Sequence, residues 1–327
     1  MPRHDSKNTT TGRMRGVRRI LAILAVLASV GGGVATSTAL ADEPAKCNTS
    51  ADKVCYAGYN ANGLKTIAND LSVNGKSSKY YAKMHDNLTN DVKGTITLKD
   101  GSSLPFRLIG ILHDDLADGS GRKAGLTFMA VNAMPKAYCM NGVMPSDTTT
   151  TCQGGATDRG GWRDSGLRRW MNGGEVWDMF PEAFRTGVSA VLKQSNSLDY
   201  GRTSGSAASA TSDRLWLVSY RELVPTIGWR EDAGGFQALN QEGSQYEFFK
   251  GRVTHNYSSN TILANMYRTA SGSRPAGLYK YYFDGWWERS SSPVYAGYFL
   301  SVISDGSPNY SNVHAGRRFA LVPAFSF

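Results

Sequence analysis

The stretch that most constrains the fold runs from Gly160 to Lys193, GGWRDSGLRRWMNGGEVWDMFPEAFRTGVSAVLK. Helical periodicity there is broken at a glycine-proline joint. Leu167, Trp170 and Met171 fall at i, i+3 and i+4 behind Asp164 or Ser165, either of which can accept from the free N–H groups of a first turn. Gly173 and Gly174 end that helix. Pro181 suits the first turn of a second helix, in which Phe184, Val188 and Val191 recur at i, i+4 and i+7 before a strand. The stretch specifies packing and carries no catalytic signature.

The N-terminus reads as a targeting segment. Arg3, Lys7, Arg13, Arg15, Arg18 and Arg19 precede an uncharged run from Ile20 to Ala41 that closes on Ala39-Leu40-Ala41, a small-x-small cleavage pattern. Residues 1–41 are therefore expected to be a signal peptide, the alternative being an uncleaved signal anchor, a transmembrane segment with its basic side cytoplasmic. Removing them takes away six basic side chains and one acid, which lowers the formal charge from +9 to +4. Most of the basic excess belongs to targeting, so no nucleic-acid partner is expected. Membrane contact is expected only through this segment, if it is uncleaved.

Four cysteines follow the segment: Cys47, Cys55, Cys139 and Cys152. An even count in an exported chain points to disulfides, and of the three possible pairings the short spans favour Cys47 with Cys55 and Cys139 with Cys152. Free or metal-bound thiols are the alternative, although the spacings lack the C-x-x-C pairs of a zinc site.

The mature chain divides at about residue 94. Residues 42–93 read as a small helical preface, with short helices over Leu64–Leu71 and Lys79–Leu88, the second capped by Ser77 or Ser78. Thr95–Leu98 and Pro105–Leu112 read as strands joined by a turn containing Asp100-Gly101, and Leu126–Val131 as a third. His113 to Gly121 is acidic and Gly-containing but lacks the ligand spacing of a calcium loop, so it reads as a turn. Leu198–Ser212, rich in Gly, Ser and Ala, reads as an irregular excursion. Asp213–Val218 is a short buried strand, and Ser219 with Glu222 forms a capping box. The 36 glycines, 41% hydrophobic and 19% charged residues describe a loop-rich globular chain containing β structure.

GRKAGLTF (Gly121 to Phe128), GGWRDSGLRRWMN (Gly160 to Asn172), SDRLWLVSYRELV (Ser212 to Val224), WWERS (Trp286 to Ser290) and VPAF (Val322 to Phe325) occur in this order. Together they resemble the domain of unknown function 6273 of exported proteins from Actinobacteria and Firmicutes. More distantly, the chain is similar to the C-type-lectin-like and sulfatase-modifying fold. The resemblance implies an α+β fold: a C-type-lectin-like main domain, residues 94–327, of short twisted strands and two or three short helices. It implies no activity. The late cysteine pair of the sulfatase-modifying enzymes and the Glu-Pro-Asn or Gln-Pro-Asp loops of sugar lectins are both missing.

His85, His113, His255 and His314 are scattered, and neither H-E-x-x-H nor G-x-S-x-G occurs. Asp178 and Glu182 sit where the helix dipole alone favours acids. No catalytic residue, metal site or cofactor is expected. Tyr279, Tyr281, Tyr282, Trp286, Trp287, Tyr295 and Tyr298 combine apolar faces with polar edges; most such rings fill cores, and any left outside form a binding surface. The candidate ligand-binding residues are Trp286, Trp287, Arg289, Tyr295 and Tyr298. If Gly285–Ser290 is a strand, adjacent side chains alternate between faces, so one indole closes the core while its neighbour, with Arg289, faces a ligand. The expected protein is a secreted or cell-surface, non-catalytic binder of a glycan or another surface protein. The alternatives are an exported hydrolase and a structural envelope component.

Overall fold

A computed structural model describes residues 43–48, 51–196, 208–225, 234–254, 258–280 and 284–327. The expected signal segment lies outside them, and among the described residues no helix is long and apolar enough to cross a membrane. Glu43–Phe327 forms one unit of mixed α+β structure.

Strand β1 (Val54–Tyr56) leads to helices α1 (Ala61–Asn74) and α2 (Tyr81–Thr89). Asn60 caps α1, its side chain accepting from Gly63 N at 3.0 Å. Leu64, Ile67, Ala68 and Leu71 form the buried stripe of α1. Strands β2 (Lys93–Thr97), β3 (Ser103–Ile111) and β4 (Leu126–Ala130) follow as antiparallel neighbours. Gly125 stands just before β4, where an added Cβ would lie 2.1 Å from Ala68 O, so only glycine lets α1 approach this closely.

The Gly160–Lys193 region contains four short helices instead of two: α3 (Gly161–Asp164), α4 (Gly166–Gly173), α5 (Glu175–Asp178) and α6 (Glu182–Gly187). Ser165 is the cap of α4, accepting from Arg168 N at 3.1 Å. Helix α6 is shorter than its apolar spacing implies. Val188 is extended and Val191 opens strand β5 (Val191–Ser195), because Ser189 N–H bonds the C-terminal Ser326 carbonyl at 2.8 Å.

Strand β6 (Ser209–Asp213) pairs antiparallel with β5, so the expected excursion over Leu198–Ser212 ends in regular structure; residues 197–207 lie outside the described set. The inward residues of β6 are Thr211 and Asp213, which are polar and invisible to a hydrophobic pattern. Then come β7 (Leu215–Trp216), α7 (Tyr220–Leu223), a 3-10 stretch over Gly234–Glu242, and the meander β8 (Gly285–Ser291), β9 (Tyr298–Ile303) and β10 (Pro308–His314). The last strand is β11 (Ala324–Ser326).

The main sheet has the order β1-β2-β3-β4-β11-β7. Its last-made strand lies between β4 and β7, and its first belongs to the expected preface, which is thereby part of the main sheet. Rings from distant elements meet on this sheet: Phe106, Phe128, Phe184 and Phe325 pack with centroids 4.8 to 5.7 Å apart. Edge-on contacts at these distances are favourable beyond the area they bury. The disulfides join Cys47 to Cys55 and Cys139 to Cys152.

Candidate functional site

Strand β5 alternates, but not as apolar-in and polar-out: Val191, Lys193 and Ser195 face inward while Leu192 and Gln194 are exposed. An inward lysine requires buried acceptors, and three elements supply them. Asp114 follows β3, where Leu112 takes a left-handed conformation (φ 54°) that turns the chain back across the sheet end. Glu222 belongs to α7, and Tyr246 follows the 3-10 stretch. Lys193 Nζ lies 2.7 Å from Asp114 Oδ1 and 3.0 Å from Tyr246 OH, and also contacts Glu222 Oε1.

Arg289 of β8 completes the cluster. It contacts both oxygens of Glu222 and donates to the carbonyls of Leu217 (2.9 Å), Gln194 (3.0 Å) and Glu242 (2.6 Å). Asp114 also accepts from Thr127 Oγ1 at 2.7 Å and from Tyr246 OH at 3.0 and 3.1 Å. Two buried cations thus face two buried anions, an arrangement tolerable only when each charge is paired and hydrogen-bonded. Burial alone would raise both carboxyls, yet Lys193 holds Asp114, and Arg289 with Lys193 holds Glu222, below the usual carboxylate range. Burial pushes the Tyr246 phenol well up, so it stays a donor.

Glu242 is the exception. Its carboxyl takes Asn196 N–H at 3.0 Å and the Ser290 hydroxyl, while burial, only partly offset by Arg289, pushes it up to about 7. A cleft of about 200 Å³ opens over this cluster, its floor formed by Asp114, Lys193, Glu222 and Glu242 and its rim including His113, Asp115 and Lys123. The His113 ring lies 4.2 Å from that of Tyr246, and burial holds its pKa below the ordinary histidine value.

The expected division of labour between the two indoles is not what β8 shows: Trp286 and Trp287 are both fully buried, and so is Arg289. Alternation does place them on opposite faces, but β8 is covered on both. Trp287 packs 5.4 Å from Phe319 and donates to Tyr138 O at 2.7 Å; Trp286 bridges to Ala320. Tyr295 remains exposed (55%) beside exposed Val294, with its ring 5.8 Å from that of half-buried Tyr298. Tyr279 lies under the Arg317 guanidinium at 4.4 Å, while Tyr281, Tyr282 and His255 lie outside the described residues. His85 pairs with Glu247 at 3.3 Å, and His314 sits edge-on to Tyr298 at 5.2 Å. Asp178 and Glu182 share Arg185 on an open surface. Among the described residues no group of three or more His, Cys, Asp or Glu is placed to hold a metal ion.

In the sequence Glu222 is legible only as a cap and Arg289 only as a surface candidate, and Lys193, Glu242 and Tyr246 belong to no motif. The available signal was a lysine at an inward position of β5, flanked by outward Leu192 and Gln194.

No curated protein and no solved structure matches this chain. The family described as Domain of unknown function (DUF6273) matches residues 148–326, a segment that holds Lys193, Glu222, Glu242, Arg289, Tyr295 and Tyr298, while Asp114 and Thr127 precede it. More than half of the sequence is covered, and the chain belongs to the DUF6273 family.

Proposed function

We propose that this chain is an exported, non-catalytic binding protein at or beyond the cell surface, with Tyr295 and Tyr298 meeting a glycan. The observation that carries the reading is the exposed Tyr295 ring, paired at 5.8 Å with Tyr298 and continued by Val294, on a fold whose other large aromatics are mostly internal. Sugar rings stack on such faces while the phenols supply hydrogen bonds. Two disulfides support export, since such bonds persist in oxidising compartments. The finer architecture in this reading is C-type-lectin-like, in keeping with short strands and helices joined by long irregular connections.

A glycan and cell-wall array probed with the mature protein tests it. Binding should be lost in Tyr295→Ala with no change in melting temperature. Retained binding in both Tyr295→Ala and Tyr298→Ala would sink the proposal, and capture by a surface protein with no glycan signal would move the ligand to the other class.

A hydrolytic reading is favoured by one observation, the opposed shifts of His113 and Glu242 at a single cleft, an arrangement that suits a base and an acid near neutrality. Turnover of fluorogenic esters or glycosides that disappears in His113→Ala would support this reading over the first.

A further inference from the structure

A buried amine lies against a buried carboxyl here, and the binding reading uses neither. Lys193 Nζ and Asp114 Oδ1 are 2.7 Å apart, with both side chains only 3% exposed. The groups around this contact are those that amide formation needs. Glu222 Oε1 contacts the same Nζ and can accept and return a proton. Tyr246 OH and Thr127 Oγ1 both donate to the Asp114 carboxyl, where negative charge would collect if a nucleophile added to its carbon. The Trp216 and Tyr246 rings lie 5.0 and 5.3 Å from Nζ and pack beside it. Holding two reactants in such contact replaces an encounter with an intramolecular step.

We propose that Lys193 and Asp114 condense within the folded chain to an intramolecular amide bond that ties the end of β3 to β5. One ammonium proton passes directly to Asp114 Oδ1. The freed Nζ lone pair then forms the bond to Asp114 Cγ, with the growing oxyanion held by Tyr246 and Thr127. A second proton leaves Nζ for Glu222 and is returned to the departing hydroxyl as the C–O bond breaks. The products are the amide and one water, and Glu222 ends as it began. No oxidant or cofactor is required, and the cleft floored by Asp114, Lys193 and Glu222 gives the water an exit. The bond would join the six-stranded sheet to the two-stranded one.

Mass spectrometry of the full exported chain, denatured and with its disulfides reduced, tests this. The bonded chain is one water lighter than its sequence requires. Trypsin, cutting after Arg107, Arg122, Arg185 and Arg202, should release residues 108–122 joined to residues 186–202, with Lys193 protected from cleavage. A folded chain of full mass that yields separate peptides, with cleavage after Lys193, overturns the proposal. Asp114→Asn should lose ammonia in place of water and reach the same final mass, whereas Lys193→Arg should give no branched peptide. Tyr246→Phe keeps the ring and should slow the mass loss on the order of 100-fold; an unchanged rate would overturn the oxyanion role given to the phenol.

Discussion

Ser219 and Glu222 cap one another: Ser219 Oγ accepts Glu222 N–H at 3.2 Å, and Glu222 Oε2 accepts Ser219 N–H at 2.9 Å. The carboxylate that closes this one-turn box is also the partner of Arg289 and Lys193, so a local helix start is locked to two buried cations from other strands. Glu222→Ala should therefore lose far more than an ordinary cap, roughly 3–5 kcal/mol from stranded buried charge against about 1 kcal/mol for a cap alone. Urea unfolding would report this as a fall in midpoint. A loss confined to the cap value would mean that solvent reaches the cations.

Glu242 gives the fold a pH dependence of opposite sign to that of Glu222. Its folded pKa, about 7, lies above the reference value of 4.5, so the folded state binds the proton more tightly than the unfolded chain. Stability from this group is fully present below about pH 4.5 and falls as pH rises toward 7, by on the order of 3 kcal/mol, with no further loss above. Glu222, held low by Arg289 against its burial, acts the other way: its contribution is present above its unfolded pKa value and is lost as pH falls through the folded one. Comparing melts of wild type and Glu242→Gln between pH 5 and pH 7 isolates the first effect. Parallel curves would contradict the shift.

What was legible in the sequence was what local rules encode. The cap at Asp164 or Ser165, which falls on Ser165, the Ser219–Glu222 box, the Asp100-Gly101 turn and the β2–β3 pair all depend on residues close in the chain. The end of α6 was not legible, because it is set by the Ser189–Ser326 bond across the fold. Strand β6 was hidden because its inward residues, Thr211 and Asp213, are polar; they serve one another at 2.7 Å, and Asp213 also takes Trp162 and Arg168. The cluster was hidden for the same reason on a larger scale. Asp114 and Lys193 are 79 positions apart, and a buried charge is stable only through partners that the sequence alone does not bring together.

The Cys139–Cys152 bond closes a loop whose far side is tied to the C-terminal segment, with Cys152 N–H bonding Gly316 O at 2.8 Å and Arg318 reaching the Asp147 and Thr149 carbonyls at 2.9 and 3.0 Å. Gly277 sits against that guanidinium, where a Cβ would lie 2.0 Å from Arg318 Cζ. Replacing both cysteines with alanine should cost roughly 2–4 kcal/mol, chiefly by freeing the unfolded chain. The midpoint in guanidinium chloride would show it. A variant as stable as wild type would place the constraint in the Arg318 contacts.

Trp286 and Trp287 should now behave alike in stability and differ in the reason. Both indoles are fully buried, so truncating either leaves a large void and should cost roughly 3–5 kcal/mol. Trp287→Ala also removes one of two donors to the Tyr138 carbonyl, which accepts the indole N–H at 2.7 Å and keeps Phe319 N–H at 2.9 Å, whereas Trp287→Phe loses the same hydrogen bond but restores much of the volume. The order of stability should therefore be wild type, then Trp287→Phe, then Trp287→Ala, with Trp286→Ala close to the last. Neither variant should alter ligand binding at a temperature where it remains folded, because neither ring reaches the surface. Thermal melts together with array binding on Trp286→Ala, Trp287→Ala and Tyr295→Ala separate the two kinds of aromatic. A tryptophan variant that kept its melting temperature while losing the ligand would return the binding surface to β8 and remove Tyr295 from it.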